Sequence, residues 1–171
     1  MVGLEAGDTQ GAPLNEGDVV RASVWKPILV ATAISGALDI SWAMILTVLN
    51  GREIGNMLRF VASGPFPQAT KMGSNGAVLG LLVHFALMAI MAVGFVLAAT
   101  RVRDMIRNPV KWGVLYGLVT YAVLDLLVVP LRFPAAWPPK PISIATQLFA
   151  HIVLVGLVFA FVTRRFVGRH R

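Results

Sequence analysis

Four long apolar segments, separated by shorter polar or proline-rich stretches, run through this chain of 171 residues at about 28–49, 76–100, 109–131 and 142–163. The stretch from Gly76 to Thr100 contains no Lys, Arg, Asp or Glu. At a rise of about 1.5 Å per residue, a helix of this length crosses a hydrocarbon core about 30 Å thick. The pattern therefore predicts an all-α polytopic membrane protein, a bundle of four transmembrane helices.

The connection between the first two segments, residues 52–63, has a helical pattern of its own. Its apolar side chains recur at intervals of three and four residues: Ile54, Met57, Leu58 and Val61. Arg52 and Arg59 lie elsewhere around the helix, so the spacing predicts a short amphipathic helix in the plane of the membrane interface. Pro65 and Pro67 follow it and end it.

The chain before the first segment shows no periodic apolar face. Residues 1–24 are rich in glycine and acidic residues, which is typical of a disordered tail. Trp25, Lys26 and Pro27 then open the first span as an interfacial aromatic, a cation and a helix-starting proline. Residues 25–165 form the predicted transmembrane domain, and 166–171 form a short basic tail.

Charge sets the predicted orientation. The net charge is +7, yet only 13% of the residues are charged, against about 25% in soluble domains. Lys and Arg flank the apolar segments, where they meet anionic lipid head groups; they do not form the aromatic-basic surface of a nucleic-acid-binding protein. Ten lie on the side of the two termini and five on the other side. This bias predicts that both termini are cytoplasmic.

The first two segments resemble the last two in plan. Each half has a helix with one Asp, a connection with Arg-Phe and prolines, and a helix with one His. The matched positions are Asp39 with Asp125, Arg59-Phe60 with Arg132-Phe133, and His84 with His151. Two helical hairpins of one orientation would form a parallel repeat. Duplication and chance similarity both stay open at this point.

The four ionisable residues fall at similar depths. With each span's midpoint as zero and about 1.5 Å per residue, Asp39 lies at the midplane, His151 about 3 Å, His84 about 5 Å and Asp125 about 7 Å toward the outer side. Such groups are costly in lipid and face the bundle interior or a water-filled cavity. We therefore expect one intramembrane polar cluster, in which Asp39, His84 and His151 act as a unit. The alternative for each residue is a packing role.

The histidines have a second interpretation, as cofactor ligands. Met88 and Met91 follow His84 on its helix face, and thioether with imidazole is a ligand set for copper. His84 and His151 would equally suit the axial positions of haem b. The alternative for the methionines is core filling. The chain has no Cys, which excludes thiolate sites and disulfides.

Six short motifs are spread over residues 25–165. They are Gly36-Ala37-Leu38-Asp39, Arg59-Phe60-Val61-Ala62-Ser63-Gly64, Gly80-Leu81-Leu82-Val83-His84-Phe85, Tyr116-Gly117-Leu118-Val119-Thr120-Tyr121, Val129-Pro130-Leu131 and His151-Ile152-Val153-Leu154-Val155-Gly156-Leu157. Together they resemble a widespread, uncharacterised family of small bacterial four-span membrane proteins. The resemblance implies the bacterial inner membrane and the four-helix plan. In that family the position of Asp125 more often carries Asn, so the resemblance favours Asp39, His84 and His151, and it implies no reaction.

Three classes of function are compatible with these observations. The preferred hypothesis is proton-linked or small-solute handling through the polar cluster, without covalent chemistry, so we assign no enzymatic activity. The second is a haem-b or metal-binding membrane protein that uses His84 and His151. The third is a non-catalytic assembly or interaction subunit. Pairs of glycines four residues apart, Gly76 with Gly80 and Gly113 with Gly117, are typical of close helix packing, within the chain or in a homo-oligomer.

Overall fold

The computed structural model describes residues 16–167, with their side chains from residue 24 onward apart from residue 136. The helices of this part are α1 (Glu16–Leu49), α2 (Ile54–Ser63), α3 (Gly73–Arg101), α4 (Arg103–Arg107), α5 (Pro109–Arg132) and α6 (Pro141–Val167). Short 3₁₀ turns occupy Pro67–Lys71 and Pro134–Ala136. Four helices, α1 from Val24 onward, α3, α5 and α6, are long and apolar enough to cross a membrane. The chain is therefore a helical, multi-pass membrane protein.

The two ends of the bundle differ in what they carry. The loop end carries the connections 50–72 and 133–140, and the terminus end carries α4 together with the first and last described residues. Helix α1 packs against both α3 and α6, and α5 packs against α6. Gly51 ends α1 at the loop end with φ 66°, a left-handed conformation that glycine adopts without strain.

The apolar core lies toward the terminus end. Phe95 and Phe159 are the largest fully buried side chains, and their ring centroids are 6.3 Å apart. The ring of Tyr116 lies edge-on to Phe95 at 5.0 Å, and its hydroxyl donates a hydrogen bond to the carbonyl of Met91 at 2.8 Å. Dense aromatic packing of this kind leaves little room for water. This half of the bundle is closed.

Glycines allow two close backbone contacts. A Cβ atom on Gly156 would lie 2.1 Å from the carbonyl oxygen of Gly113, so α5 and α6 touch backbone to backbone. A Cβ on Gly80 would lie 1.9 Å from the carbonyl oxygen of Leu58, so α2 rests on α3 in the same manner. The predicted packing face of Gly76 and Gly80 is therefore occupied within the chain.

The start of α1 corrects the sequence prediction. Residues 16–24, assigned to a disordered tail, continue α1 back to Glu16, and Pro27 lies inside the helix instead of at its first turn. Residues 16–24 contain no proline and a single glycine, so nothing in the backbone ends a helix there. Because Pro27 has no backbone N–H, the helix lacks one hydrogen bond at this position. The predictions for residues 1–15 and 168–171 lie outside the described residues.

A hydrogen-bonded cluster fastens the connection at the terminus end. The carboxylate of Asp104 in α4 accepts hydrogen bonds from Nε1 of Trp112 at 2.7 Å and from Nδ2 of Asn108 at 2.6 Å. These bonds, that from Trp112 above all, hold the pKa of Asp104 below its usual value. The start of α5 is thereby tied to α4.

Candidate functional site

The first polar pair joins α1 to α3. Nε2 of His84 lies 3.0 Å from the carbonyl oxygen of Gly36, and Nδ1 of the same ring lies 3.9 Å from Oδ2 of Asp39. A carbonyl oxygen only accepts hydrogen bonds, so Nε2 carries a proton and donates it. This contact leaves Nδ1 turned toward the carboxyl group.

The second pair joins α5 to α6 with the ring reversed. Nδ1 of His151 lies 3.1 Å from the carbonyl oxygen of Gln147, one turn earlier in α6, and is the donor for the same reason. Nε2 then faces Oδ2 of Asp125 at 3.6 Å. In both pairs a backbone carbonyl therefore fixes one ring nitrogen, and an aspartate faces the other.

Each pair is arranged to share one proton. If the second ring nitrogen and the carboxylate were both deprotonated, two lone pairs would face each other in a half-buried place, which is unfavourable. A single proton on either group makes this contact attractive. Each Asp–His pair is thus a proton-binding unit with a net charge of zero when occupied.

The backbones around the two pairs differ. Asp39 and His84 lie on regular α-helical turns, whereas Asp125 lies in the π-helical turn Ala122–Val128 and His151 in the π-helical turn Ala150–Leu157. In α5 the π-turn ends two residues before Pro130, which has no amide to donate and whose ring crowds the carbonyl four residues earlier. In α6 the ring of His151 donates a hydrogen bond to the carbonyl of Gln147. In a regular α-helix that carbonyl would accept a hydrogen bond from the backbone amide of residue 151. Such turns are frequent at functional sites.

All four groups line the inner end of one cavity of about 830 Å³ that extends toward the loop end. Thr47 and Asn50, near the end of α1, line its outer part. The carboxyl groups, 19% and 18% exposed, are about twice as accessible as the imidazoles at 9% and 11%. The carboxyl groups therefore form the floor of the cavity, and the imidazoles support them from behind.

Aromatic side chains and two cations complete the cavity. Trp42 and Tyr121 line it one helical turn from Asp39 and Asp125, and Phe60 and Trp137 line it as well. Nε1 of Trp42 is buried without a hydrogen-bond partner among the described residues. The cations are Arg52 and Lys140, both exposed at the loop end.

Helix α2 forms a wall of the cavity and is tied to the second helix pair. The guanidinium of Arg132, at the end of α5, donates from Nε to the carbonyl of Gly64 at 2.8 Å and from Nη2 to that of Ser63 at 2.9 Å. A cation that binds the last carbonyls of a helix is favourable there. The rings of Phe60 and Phe133 also pack at 4.4 Å between centroids. These contacts hold α2 beside the cavity.

The structure places the predicted site residues in three different surroundings. Asp39, His84, Asp125 and His151 share the cavity. Met88 lies elsewhere, with its sulfur 4.0 Å from Oγ of Ser35. Arg52 lies at the cavity mouth, whereas Arg59 binds Asn56 and, at 3.1 Å, the carbonyl of Gly73.

The sequence prediction did not include several residues that line the site. Trp42 and Tyr121 lie three residues after Asp39 and four before Asp125, spacings that put aromatic and acid on one helix face. That signal was available from the sequence. The backbone partners of the two imidazole rings had no sequence signal.

The interpretation of the two histidines as haem or copper ligands stays a prediction. Both nitrogens of each ring already face a partner, a carbonyl on one side and a carboxyl group on the other. Among residues 16–167, no three His, Asp or Glu side chains converge as metal ligands do. The site is suited to holding protons.

Comparison with known proteins adds no constraint on this interpretation. The chain has no significant match among models of protein families, curated proteins or solved structures.

Proposed function

We propose that this integral membrane protein binds a small solute in the cavity and links that binding to proton exchange at its two Asp–His pairs. The observation that carries the proposal is the fixed ring orientation in both pairs. Because a backbone carbonyl holds one nitrogen of each ring, the shared proton lies between the other nitrogen and a carboxyl group on the cavity floor. A solute that reaches the floor therefore changes the proton occupancy.

The shape of the cavity supports a small solute. A volume of about 830 Å³ lies within the range of about 300–1,000 Å³ usual for small-molecule sites. The wall combines aromatic rings, such as that of Trp42, with polar side chains, such as those of Thr47 and Asn50. The packing around Phe95 and Phe159 closes the terminus half, so the solute reaches the pairs from the loop end.

We further propose the location and ancestry that the sequence implies. The protein lies in a bacterial inner membrane with both termini in the cytoplasm, because ten of its basic residues flank that side. The cavity then opens to the outer side, and α2 lies there at the interface with Phe60 47% exposed. The chain belongs to the small four-span family it resembles. The two Asp–His pairs support a parallel repeat of two hairpins.

Reconstituted vesicles with the loop side facing a weakly buffered medium that contains a pH dye test the function. A panel of small cations, anions and zwitterions is added on the loop side to wild type and to the double variant Asp39→Asn/Asp125→Asn. We expect at least one class of solute to change the pH of the medium in wild type and none to do so in the double variant. Asp104→Asn, which removes a carboxylate outside the cavity, is the control and should behave like wild type. Identical pH responses with and without the two carboxyl groups would contradict the proposal.

A further inference from the structure

The cavity floor also points to the kind of solute. We propose that it binds a small organic ammonium ion in exchange for a proton, an inference that rests on the proposed function. The charge balance of the floor, its aromatic neighbours and the unsuitability of the site for metal ions carry the argument.

The charge balance favours a cation. The titratable and charged side chains that line the cavity are Asp39 from α1, His84 from α3, Tyr121 and Asp125 from α5, His151 from α6, and Arg52 and Lys140 at the mouth. An occupied Asp–His pair is neutral, and the pair that has lost its proton is negative. A cation that binds beside the carboxylate replaces the charge of that proton, which leaves to solvent, so the exchange is electrically balanced.

Inorganic divalent cations fit the floor poorly. They need several oxygen or nitrogen ligands around one point, and no such group of three acidic or histidine side chains occurs within residues 16–167. An organic ammonium ion needs only one carboxylate and a surface for its carbon atoms. The floor provides such a carboxylate in each pair.

Aromatic rings lie where that surface is required. Trp42 is one turn from Asp39 and Tyr121 is one turn from Asp125, and all four line the cavity. The face of an aromatic ring attracts a cation, and Trp does so most strongly. Aromatic rings are the usual surface that recognises an alkylated ammonium group.

The cations at the mouth are too far away to reverse this preference. The cavity follows α1 from Asp39 to Asn50, about 16 Å at 1.5 Å per residue. Screening in water at physiological salt acts over about 8 Å. Arg52 and Lys140 therefore affect the rate of access more than the affinity of the floor.

Three probes of similar size and different charge test the inference: benzyltrimethylammonium, phenylacetate and phenylalanine. Each is added to the full-length protein in weakly buffered detergent solution, and binding and proton release are measured together. Benzyltrimethylammonium carries no acidic proton, so every proton released comes from the protein. We expect it to bind with release of one proton per ion and phenylacetate to release none. Asp39→Asn/Asp125→Asn, a nearly isosteric change, should abolish the release.

A second variant separates recognition from folding. Trp42→Leu should weaken benzyltrimethylammonium binding by about fivefold and leave the number of protons released per bound ion unchanged. Trp25→Leu is the matched control, because Trp25 lies 58% exposed at the terminus end, away from the cavity. Equal loss in both variants would overturn the role of Trp42 and with it the proposal.

The outcomes distinguish this inference from the proposed function. Proton exchange with phenylacetate or phenylalanine but not with the ammonium probe would overturn the solute class and leave proton-linked binding standing. If no probe moves protons, both proposals fall. Ammonium binding that persists unchanged without both carboxyl groups would also overturn the inference.

Discussion

In the pair formed by α1 and α3, Asp39 and His84 stand on regular α-helical turns, whereas in the pair formed by α5 and α6 both Asp125 and His151 lie within π-helical turns. The side-chain chemistry is the same in both: a carbonyl holds one ring nitrogen and an aspartate faces the other. The two pairs therefore share the Asp–His contact but not the backbone geometry around it.

The different backbones come from different supports. The first pair has α2 packed on the glycine face of α3, and no proline lies in α3 or in α1 after Asp39. The second pair has a direct backbone contact at Gly113 and Gly156, with Pro130 one turn beyond Asp125. The second pair should therefore respond more strongly to changes in its supports.

The largest expected effect comes from Gly156→Val. Its Cβ would lie 2.1 Å from the carbonyl oxygen of Gly113, so α5 and α6 have to separate, at a cost of about 3 kcal/mol of unfolding free energy. Gly80→Ala also meets a carbonyl, that of Leu58, but displaces only the short α2 and should cost less. Thermal or denaturant unfolding in detergent measures both. Gly55→Ala, whose nearest neighbour is the flexible end of Arg59 at 3.3 Å, is the control.

If the Gly156→Val protein is as stable as the Gly55→Ala protein, α5 and α6 do not pack backbone to backbone at Gly156. A Gly80→Ala protein that loses more stability than Gly156→Val would reverse the order of the two supports.

Double-mutant cycles give the next effect. Asp39→Asn with His84→Gln, and Asp125→Asn with His151→Gln, should each show a coupling energy of about 1–2 kcal/mol, because each cycle breaks one proton-sharing contact. The cross cycle of Asp39→Asn with His151→Gln should show about 0.5 kcal/mol, since these residues interact through charge across the cavity without a direct contact. Unfolding in detergent measures all three. Equal coupling within and across the pairs would show one undivided cluster, as the sequence predicted for Asp39, His84 and His151.

The smallest effect is expected from Pro130→Ala. The new amide restores a helical hydrogen bond to the carbonyl of Leu126 and should raise stability by about 1 kcal/mol. The same change favours a regular α-helix and should turn Asp125 away from His151, so the coupling energy of the second pair falls while that of the first is unchanged. If the coupling of Asp125 and His151 survives, Pro130 does not cause the π-turn.

Much of the architecture follows from the sequence because apolar length alone decides whether a helix can span a bilayer. The predicted spans lie within the four long helices, although α1 begins well before its predicted span. Counting residues along each span predicted four ionisable groups in one layer. The depth of a residue along its helix does not tell which neighbouring helix its side chain faces. The grouping of the four residues into two Asp–His pairs is therefore visible only in the structure.

Other features depend on contacts far apart in the chain. The bond of His84 to the carbonyl of Gly36 and the bonds of Arg132 to the end of α2 join residues more than forty positions apart. Sequence patterns of three or four residues do not reach that distance. Pro130 was a local signal for an irregular turn in α5, whereas no proline lies within the π-helical turn of α6 that contains His151.

Access of water to the cavity floor from the loop end is the central claim, and labelling of two single cysteines tests it most directly. The chain has no Cys, so Ala43→Cys, which lines the cavity, and Ser41→Cys, which is exposed on another face of α1 near the apolar Leu38 and Ile45, each introduce one thiol. A membrane-impermeant thiol reagent applied on the loop side should modify Cys at position 43 and spare position 41. Equal modification at both positions, or protection of position 43, would contradict a cavity that leads water to the Asp–His pairs.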